Sequence, residues 1–169
     1  MVSLHAPWYN SNKDHQGAFA DGALVAFFFS GYSTRRSLPP ALRFSLRSPP
    51  TGNGEPARLG LEQFFIEAGV SAVFSGHVHA YERSTPVNNN KVVPAGPGGI
   101  VHFNIGDAGA GLYTTWLSPQ PAWSAFRNAT WGHGRFVVLN ATHAEWSWHM
   151  NDAPVTESQD SVIVRNARA

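Results

Sequence analysis

Between residues 56 and 69 the apolar positions fall at helical spacing. Leu61, Phe64, Phe65 and Ala68 occupy i, i+3, i+4 and i+7 and share one face. Pro56 suits a first turn and Gly69 a C′ position, so the spacing predicts a helix that ends at Gly69. The period then changes. Residues 70–75, mostly apolar and broken by Gly76, read as a buried strand. Together they make a helix–strand–loop unit of α/β type. Val2, Ser3 and Leu4 read as a short strand with a loop leaving it at His5. Asn88-Asn89-Asn90 marks a turn, and residues 100–105 a further strand. Residues 135–140 and 143–150 predict a hairpin around Ala141-Thr142. In its second arm Ala144, Trp146, Trp148 and Met150 alternate with His143, Glu145, Ser147 and His149. Residues 161–165 give a last strand. No internal repeat is present.

Residues 22–54 break this pattern. They hold Arg35, Arg36, Arg43 and Arg47 and no acidic residue or Lys. Ser and Pro recur, and neither helical nor strand period survives. The stretch is too long for an ordinary loop. Basic residues beside Phe27, Phe28, Phe29 and Phe44 also suit a nucleic-acid or membrane patch, but the lack of any period favours a disordered insert.

Composition narrows the class. The chain has 169 residues, room for one domain. Charged residues are 14%, against about 25% in an average domain, and the formal net charge is +1. No global field points to nucleic acid or to a membrane surface. The absence of Cys excludes a disulfide scaffold, a thiolate metal site and a Cys nucleophile. The longest apolar run, residues 23–29, is too short to cross a bilayer. Residues 1–5 lack the basic and apolar regions of a signal peptide. A start inside a strand, with a candidate site residue at position 5, leads us to expect further sequence upstream.

Eight His among so few charges direct attention to Gly76-His77-Val78-His79. The segment follows a buried-type strand, and in open α/β sheets sites form beyond the carboxyl ends of strands. In extended backbone His77 and His79 share one side, about 6–7 Å apart at Cα. That spacing suits one metal held by both rings, or two metals with one ring each. His5, at the end of another strand, can reach the same sheet edge, giving three converging imidazoles. His102, His133, His143 and His149 read as structural or surface residues. Asp107, in Gly106-Asp107-Ala108-Gly109, has the look of a metal-binding aspartate, but a Gly-Asp turn after a strand is also ordinary turn chemistry, and that is the reading kept.

Gly76-His77-Val78-His79-Ala80-Tyr81-Glu82-Arg83 resembles the G-H-x-H-A-Y-E-R segment of purple acid phosphatases, members of the calcineurin-like metallophosphoesterases. His5-Ala6-Pro7-Trp8-Tyr9-Asn10-Ser11 is similar to their H-x-P-x-Y-N-S segment. Residues 121–127, Gly132-His133-Gly134 and residues 140–144 are similar to the family's closing region. The resemblance runs in order over residues 3–21 and 55–166.

It implies an α/β fold, the C-terminal part of a four-layer α/β/β/α sandwich with a β-rich C-terminal region. Residues 1–166 would be a partial metallophosphoesterase domain interrupted by 22–54. The family pairs Fe(III) with Zn, Mn or Fe(II) and hydrolyses phosphate monoesters. By resemblance His5 and His77 bind the divalent metal and His79 the ferric ion. His15 falls where the family has an outer His near the substrate phosphate. Asp14 takes a neighbouring position that is His in some members. The family's two Asp, a Tyr and an Asn come from G-D-x-G, G-D-x-x-Y and G-N-H-[ED] motifs upstream, and none lies before His5. Tyr81 is in the wrong motif to replace the Tyr ligand. This chain is therefore expected to bind metal weakly or not at all, as a C-terminal fragment of such a hydrolase. The alternative is an inactive fragment that binds metal or a partner. Secretion follows from the family, and Asn128-Ala129-Thr130 and Asn140-Ala141-Thr142 are glycosylation sequons in keeping with it.

Overall fold

The computed structural model describes residues 1–16 and 56–168. The expected insert at 22–54 lies outside the described residues. Within them the chain runs β1 (Val2–Ser3), α1 (Pro56–Glu67), β2 (Ala72–Ser75), β3 (Tyr81–Ser84), β4 (Val87–Asn88), β5 (Lys91–Val92), β6 (Val101–Ile105), β7 (Ser124–Asn128), β8 (Gly132–Val138), β9 (His143–Met150) and β10 (Asp160–Arg165). Five strands form a mixed sheet in the order β1-β2-β6-β3-β7, three form an antiparallel sheet β10-β9-β8, and β4-β5 is a small ribbon.

The helix ends as its sequence requires. The Gly69 amide donates to the Ile66 carbonyl and the Val70 amide to Phe65, a Schellman closure with Gly69 at φ 69°. Phe65 is buried and packs with Trp8, Tyr9, Val70, Val73 and Ile100 on one face of the five-stranded sheet. Glu62, which the apolar pattern did not single out, is also buried. Its carboxylate accepts from the Tyr9 hydroxyl at 2.6 Å and from the Asn89 amide at 3.1 Å, tying the helix to the loop after β1 and to the β4–β5 turn. That turn is the one expected at Asn88-Asn89-Asn90. Asn89 and Asn90 stand at φ 50° and 62°, the left-handed pair a two-residue hairpin needs.

On the other face Trp146 and Trp148 from β9 pack against Tyr81, Phe103 and Val164, so the alternation read in β9 does point one side into the core. Each fully buried large side chain of this kind contributes about 1.5–3 kcal/mol. Gly134 on β8 lies where a Cβ would overlap the Trp146 ring, so the glycine lets the indole lie flat on the neighbouring strand. Helix, five-stranded sheet and three-stranded sheet make an α/β/β stack, a mixed α/β architecture with a β-rich C-terminal region.

Boundaries shift in places. The first hairpin arm is Gly132–Val138 rather than 135–140, and the strand after the helix begins at Ala72 rather than 70. β3 and β7 carry no readable strand signal, because they are short and polar. Tyr81 and Arg83 of β3 meet Asp160 of β10, which accepts from the Tyr81 hydroxyl at 2.6 Å and from Arg83 Nε and Nη2 at 2.7 Å each. Trp146 Nε1 donates to the same Tyr81 oxygen at 2.8 Å. Burial, then the Asp160 charge, pushes the Tyr81 phenol well above its ordinary value.

Candidate active-site edge and its family

β1, β2 and β6 run parallel, so their carboxyl ends meet at one edge of the sheet. His5 leaves β1, Gly76-His77 leaves β2, and Gly106-Asp107 leaves β6. The backbone clamps the first two together: the Gly76 and His77 amides both donate to the His5 carbonyl, at 3.1 and 3.0 Å. The His5 and His77 rings are thereby neighbours, 4.6 Å between centroids.

Residues 77–80 are a run of bends, which corrects the extended spacing expected for His77 and His79. The cause is local bonding. The Ala80 amide donates to the Val78 carbonyl at 2.8 Å, and buried Asn104 of β6 donates from Nδ2 to the Val78 and Ala80 carbonyls at 2.8 and 2.6 Å. Gly106 backs this loop closely; a Cβ there would overlap the carbonyl oxygens of Val78 and Gly76. The two rings have different neighbours. His77 packs on His5 and His15. His79 stacks on Tyr113, with centroids 4.7 Å apart and planes within 1°.

His15 joins the group. Its Nδ1 lies 3.2 Å from His77 Nε2 and its Nε2 is 3.0 Å from the Tyr113 hydroxyl. His15 stands at φ 55°, a left-handed conformation that costs a non-glycine residue about 1–3 kcal/mol. The turn holding it is knotted by side chains. Asn10 Oδ1 accepts from the Asn12 amide and Asn12 Oδ1 from the Asp14 amide, each at 2.9 Å, while Gln16 Nε2 donates to the Asn10 and Asn12 carbonyls. Asp14 accepts from Thr115 Oγ1 at 3.2 Å.

Beneath this turn lies Glu82 of β3, buried on the face opposite Tyr81 and Arg83. It accepts from the Ser11 amide at 2.8 Å, from the Ser11 hydroxyl and from the Ser124 hydroxyl at 2.6 Å. Arg127 donates to Ser11 Oγ at 2.9 Å. Burial pushes the Glu82 carboxyl above its ordinary 4.5, and the bonds from Ser11 and Ser124 and the Arg127 charge pull it only part of the way back. A carboxyl raised in the folded state contributes stability that is present below its unfolded value and lost as pH climbs through the folded one. Glu82→Gln removes that titration. The stability of the variant relative to the parent should therefore improve from pH 4.5 towards neutrality, read as urea midpoints of both proteins across that range. A difference that does not change with pH would contradict the assignment.

The other candidates separate from the cluster. Asp107 is buried and accepts from Trp148 Nε1 at 2.8 Å; burial raises its carboxyl and the indole bond partly offsets this. Of its two readings, the structural one describes its contacts. His102 packs on Tyr9 with centroids 4.7 Å apart, and His133 and His149 stack across β8 and β9 at 5.5 Å. His143 sits at the β8–β9 turn, where its amide donates to Asn140 Oδ1 at 2.9 Å. Sequence reasoning missed Tyr113, Asn104 and the structural role of Glu82. Only Glu82 lay in a motif; the others are joined to the site by the folding of distant segments.

Residues 99–161 match the family described as "Iron/zinc purple acid phosphatase-like protein C". Over 164 residues, 96% of the chain and 29% of the relative, the sequence is 37% identical to purple acid phosphatase 18 of Arabidopsis thaliana. It is 34% identical over 178 residues to a Glycine max purple acid phosphatase, and 42% over 123 residues to purple acid phosphatase 1 of Ipomoea batatas. The chain belongs to the purple acid phosphatase family. It corresponds to the C-terminal part of these phosphatases and spans about a third or less of the length of the curated relatives named, 29%, 30% and 26%. The fold agrees with a purple acid phosphatase from yellow lupin (Lupinus luteus) seeds: TM-score 0.57 at 22% identity, over 64% of this chain and 20% of that one.

A purple acid phosphatase carries a binuclear metal centre, and the donors present fit part of one. His79 Nδ1 donates to the Gly111 carbonyl at 2.9 Å. A carbonyl only accepts, so the proton is on Nδ1 and the Nε2 lone pair is the ligating one, the arrangement metal-binding imidazoles use. Among the described residues carboxylates do not complete the set. Among the described residues no three His, Asp or Glu side chains converge as a metal site. No helix among them is long and apolar enough to cross a membrane.

Proposed function

We propose that this chain is the C-terminal part of a binuclear metallohydrolase that cleaves phosphate monoesters. The carrying observation is the cluster at the carboxyl ends of the parallel strands, His5 and His77 with rings 4.6 Å apart and His79 in its ligating tautomer. In this reading His5 and His77 hold the divalent ion and His79 the ferric one, with the remaining ligands supplied by sequence preceding His5. Fe(III) paired with Zn, Mn or Fe(II) would supply Lewis acidity and a water or hydroxide activated for in-line attack on phosphorus.

This chain's own residues do three things. His5, His77 and His79 bind as neutral imidazoles. His15, exposed beside His77, hydrogen-bonds phosphoryl oxygens or protonates the leaving oxygen. The Glu82 network holds the turn that carries His15. Residues 1–166 would then be one partial domain, with 22–54 an insert in it. Nucleic acid and membrane have no part in this reading. Passage through the secretory route, with glycosylation at Asn128 and Asn140, belongs to the same proposal.

The test compares the chain alone with a chimera that places the preceding region of a full-length relative before it. The chain alone is expected to hold less than one tightly bound metal and to leave p-nitrophenyl phosphate intact. The chimera should hold two metals and turn the ester over. A chain that alone yields a coloured, stoichiometric two-metal protein would overturn the shared-ligand reading. A chimera that folds, binds two metals and does no hydrolysis would favour the alternative, an inactive binding fragment.

A further inference from the structure

The phosphatase reading leaves one side chain at the edge unassigned. Tyr113 touches both halves of the histidine group. Its amide donates to the His79 carbonyl at 2.9 Å, its ring lies flat on the His79 ring, and its hydroxyl reaches His15 Nε2 at 3.0 Å. Two residues earlier, the Gly111 carbonyl accepts the hydrogen bond from His79 Nδ1. Its loop is pinned from both sides. Trp131 Nε1 donates to the Ala110 carbonyl at 3.2 Å, and Asn12 Nδ2 donates to the Tyr113 carbonyl at 2.7 Å.

A phenol has two side-chain torsions, and both are fixed here, by the stack and by the hydroxyl bond. The hydroxyl therefore stands at one place beside a ring whose backbone is in a costly conformation. Without it, the contacts His15 would keep among the described residues are that of its Nδ1 with His77 and the side-chain knot below.

We propose that Tyr113 is a positioning residue that sets the ring planes of His15 and His79 at once, through its hydroxyl for the first and its face for the second. The proposal rests on the phosphatase reading for its consequence and on the contacts alone for its geometry. It makes Tyr113 act through the histidines, so its loss should lower turnover more than substrate affinity.

Two variants separate the halves. Tyr113→Phe keeps the face and removes the hydroxyl; Tyr113→Leu removes both. The first readout needs no metal: imidazole proton and nitrogen signals of the isotopically labelled 169-residue chain. In Tyr113→Phe the His15 signals should move and those of His79 should stay. In Tyr113→Leu the His79 ring protons should also lose the upfield shift a stacked ring imposes. The second readout is p-nitrophenyl phosphate kinetics in the chimera. Tyr113→Leu is expected to lower kcat about 10-fold to 100-fold with KM little changed, and Tyr113→Phe to lie between it and the parent. Unmoved His15 signals in the folded Phe variant, unmoved His79 signals in the folded Leu variant, or a loss confined to KM would each overturn the proposal. A parent chimera without activity would overturn the phosphatase reading, and the imidazole signals would still decide the role of Tyr113.

Discussion

Asp160→Ala should cost the folded chain about 3–5 kcal/mol, the range for removing one partner of a buried pair. The carboxylate is nearly inaccessible, with its side chain 5% exposed, and grips Arg83 at Nε and Nη2, both at 2.7 Å. Arg83 is itself only 13% exposed, so its guanidinium would be left largely buried without its anion. The Tyr81 hydroxyl would lose its acceptor in the same step. These bonds join β10 of the outer sheet to β3 of the central sheet, and the histidine loop continues directly into β3. Urea unfolding of the variant and of Glu145→Ala, an exposed position on β9, provides the comparison. The expected result is a midpoint about 1 M or more below the parent for Asp160→Ala and almost no change for Glu145→Ala. Equal midpoints for the two would mean the bridge contributes nothing.

Gly106→Ala should damage the site more than its single methyl suggests. The added Cβ would overlap the Val78 and Gly76 carbonyls, which are backbone atoms and cannot swing aside as a side-chain end can. Both belong to the loop that presents His77 and His79. Overpacking of this kind costs about 1–3 kcal/mol. Relief by moving the loop would also strain the Asn104 bonds and the clamp of Gly76 and His77 on the His5 carbonyl. Amide hydrogen exchange at Gly76 and His77 is expected to speed up by roughly 5-fold to 30-fold, the factor that goes with a local loss of one to two kcal/mol. Unchanged exchange at these two amides would show that the loop is not packed on Gly106.

What the sequence made legible follows from where its signals are stored. The helix, its end at Gly69, the Asn89-Asn90 turn and the faces of β9 rest on local period and local backbone chemistry, and a short window holds all of it. β3 and β7 do not. Tyr-Glu-Arg-Ser reads as polar chain because its polar groups find their partners far away in sequence: Glu82 accepts from Ser11 and Ser124, and Arg83 pairs with Asp160. The histidine cluster was legible in membership, since strand ends in a parallel sheet share an edge, but not in geometry. Extended spacing put His77 and His79 on one side; Asn104 and the Val78 turn bend the loop instead. Tyr113 is joined to His15 only by the fold, 98 residues along the chain, and no motif announces it.

The central claim is that the edge built by His5, His77 and His79, rather than any other group of histidines in the chain, carries the phosphatase chemistry. His77→Ala and His149→Ala in the chimera test it most directly, with metal content and p-nitrophenyl phosphate turnover measured together. His149 lies on the outer sheet, stacked on His133. His77→Ala is expected to lose one metal and about 100-fold or more of the turnover, while His149→Ala keeps both metals and turnover within about twofold of the parent. Loss of metal and activity in His149→Ala, with His77→Ala intact, would contradict the account.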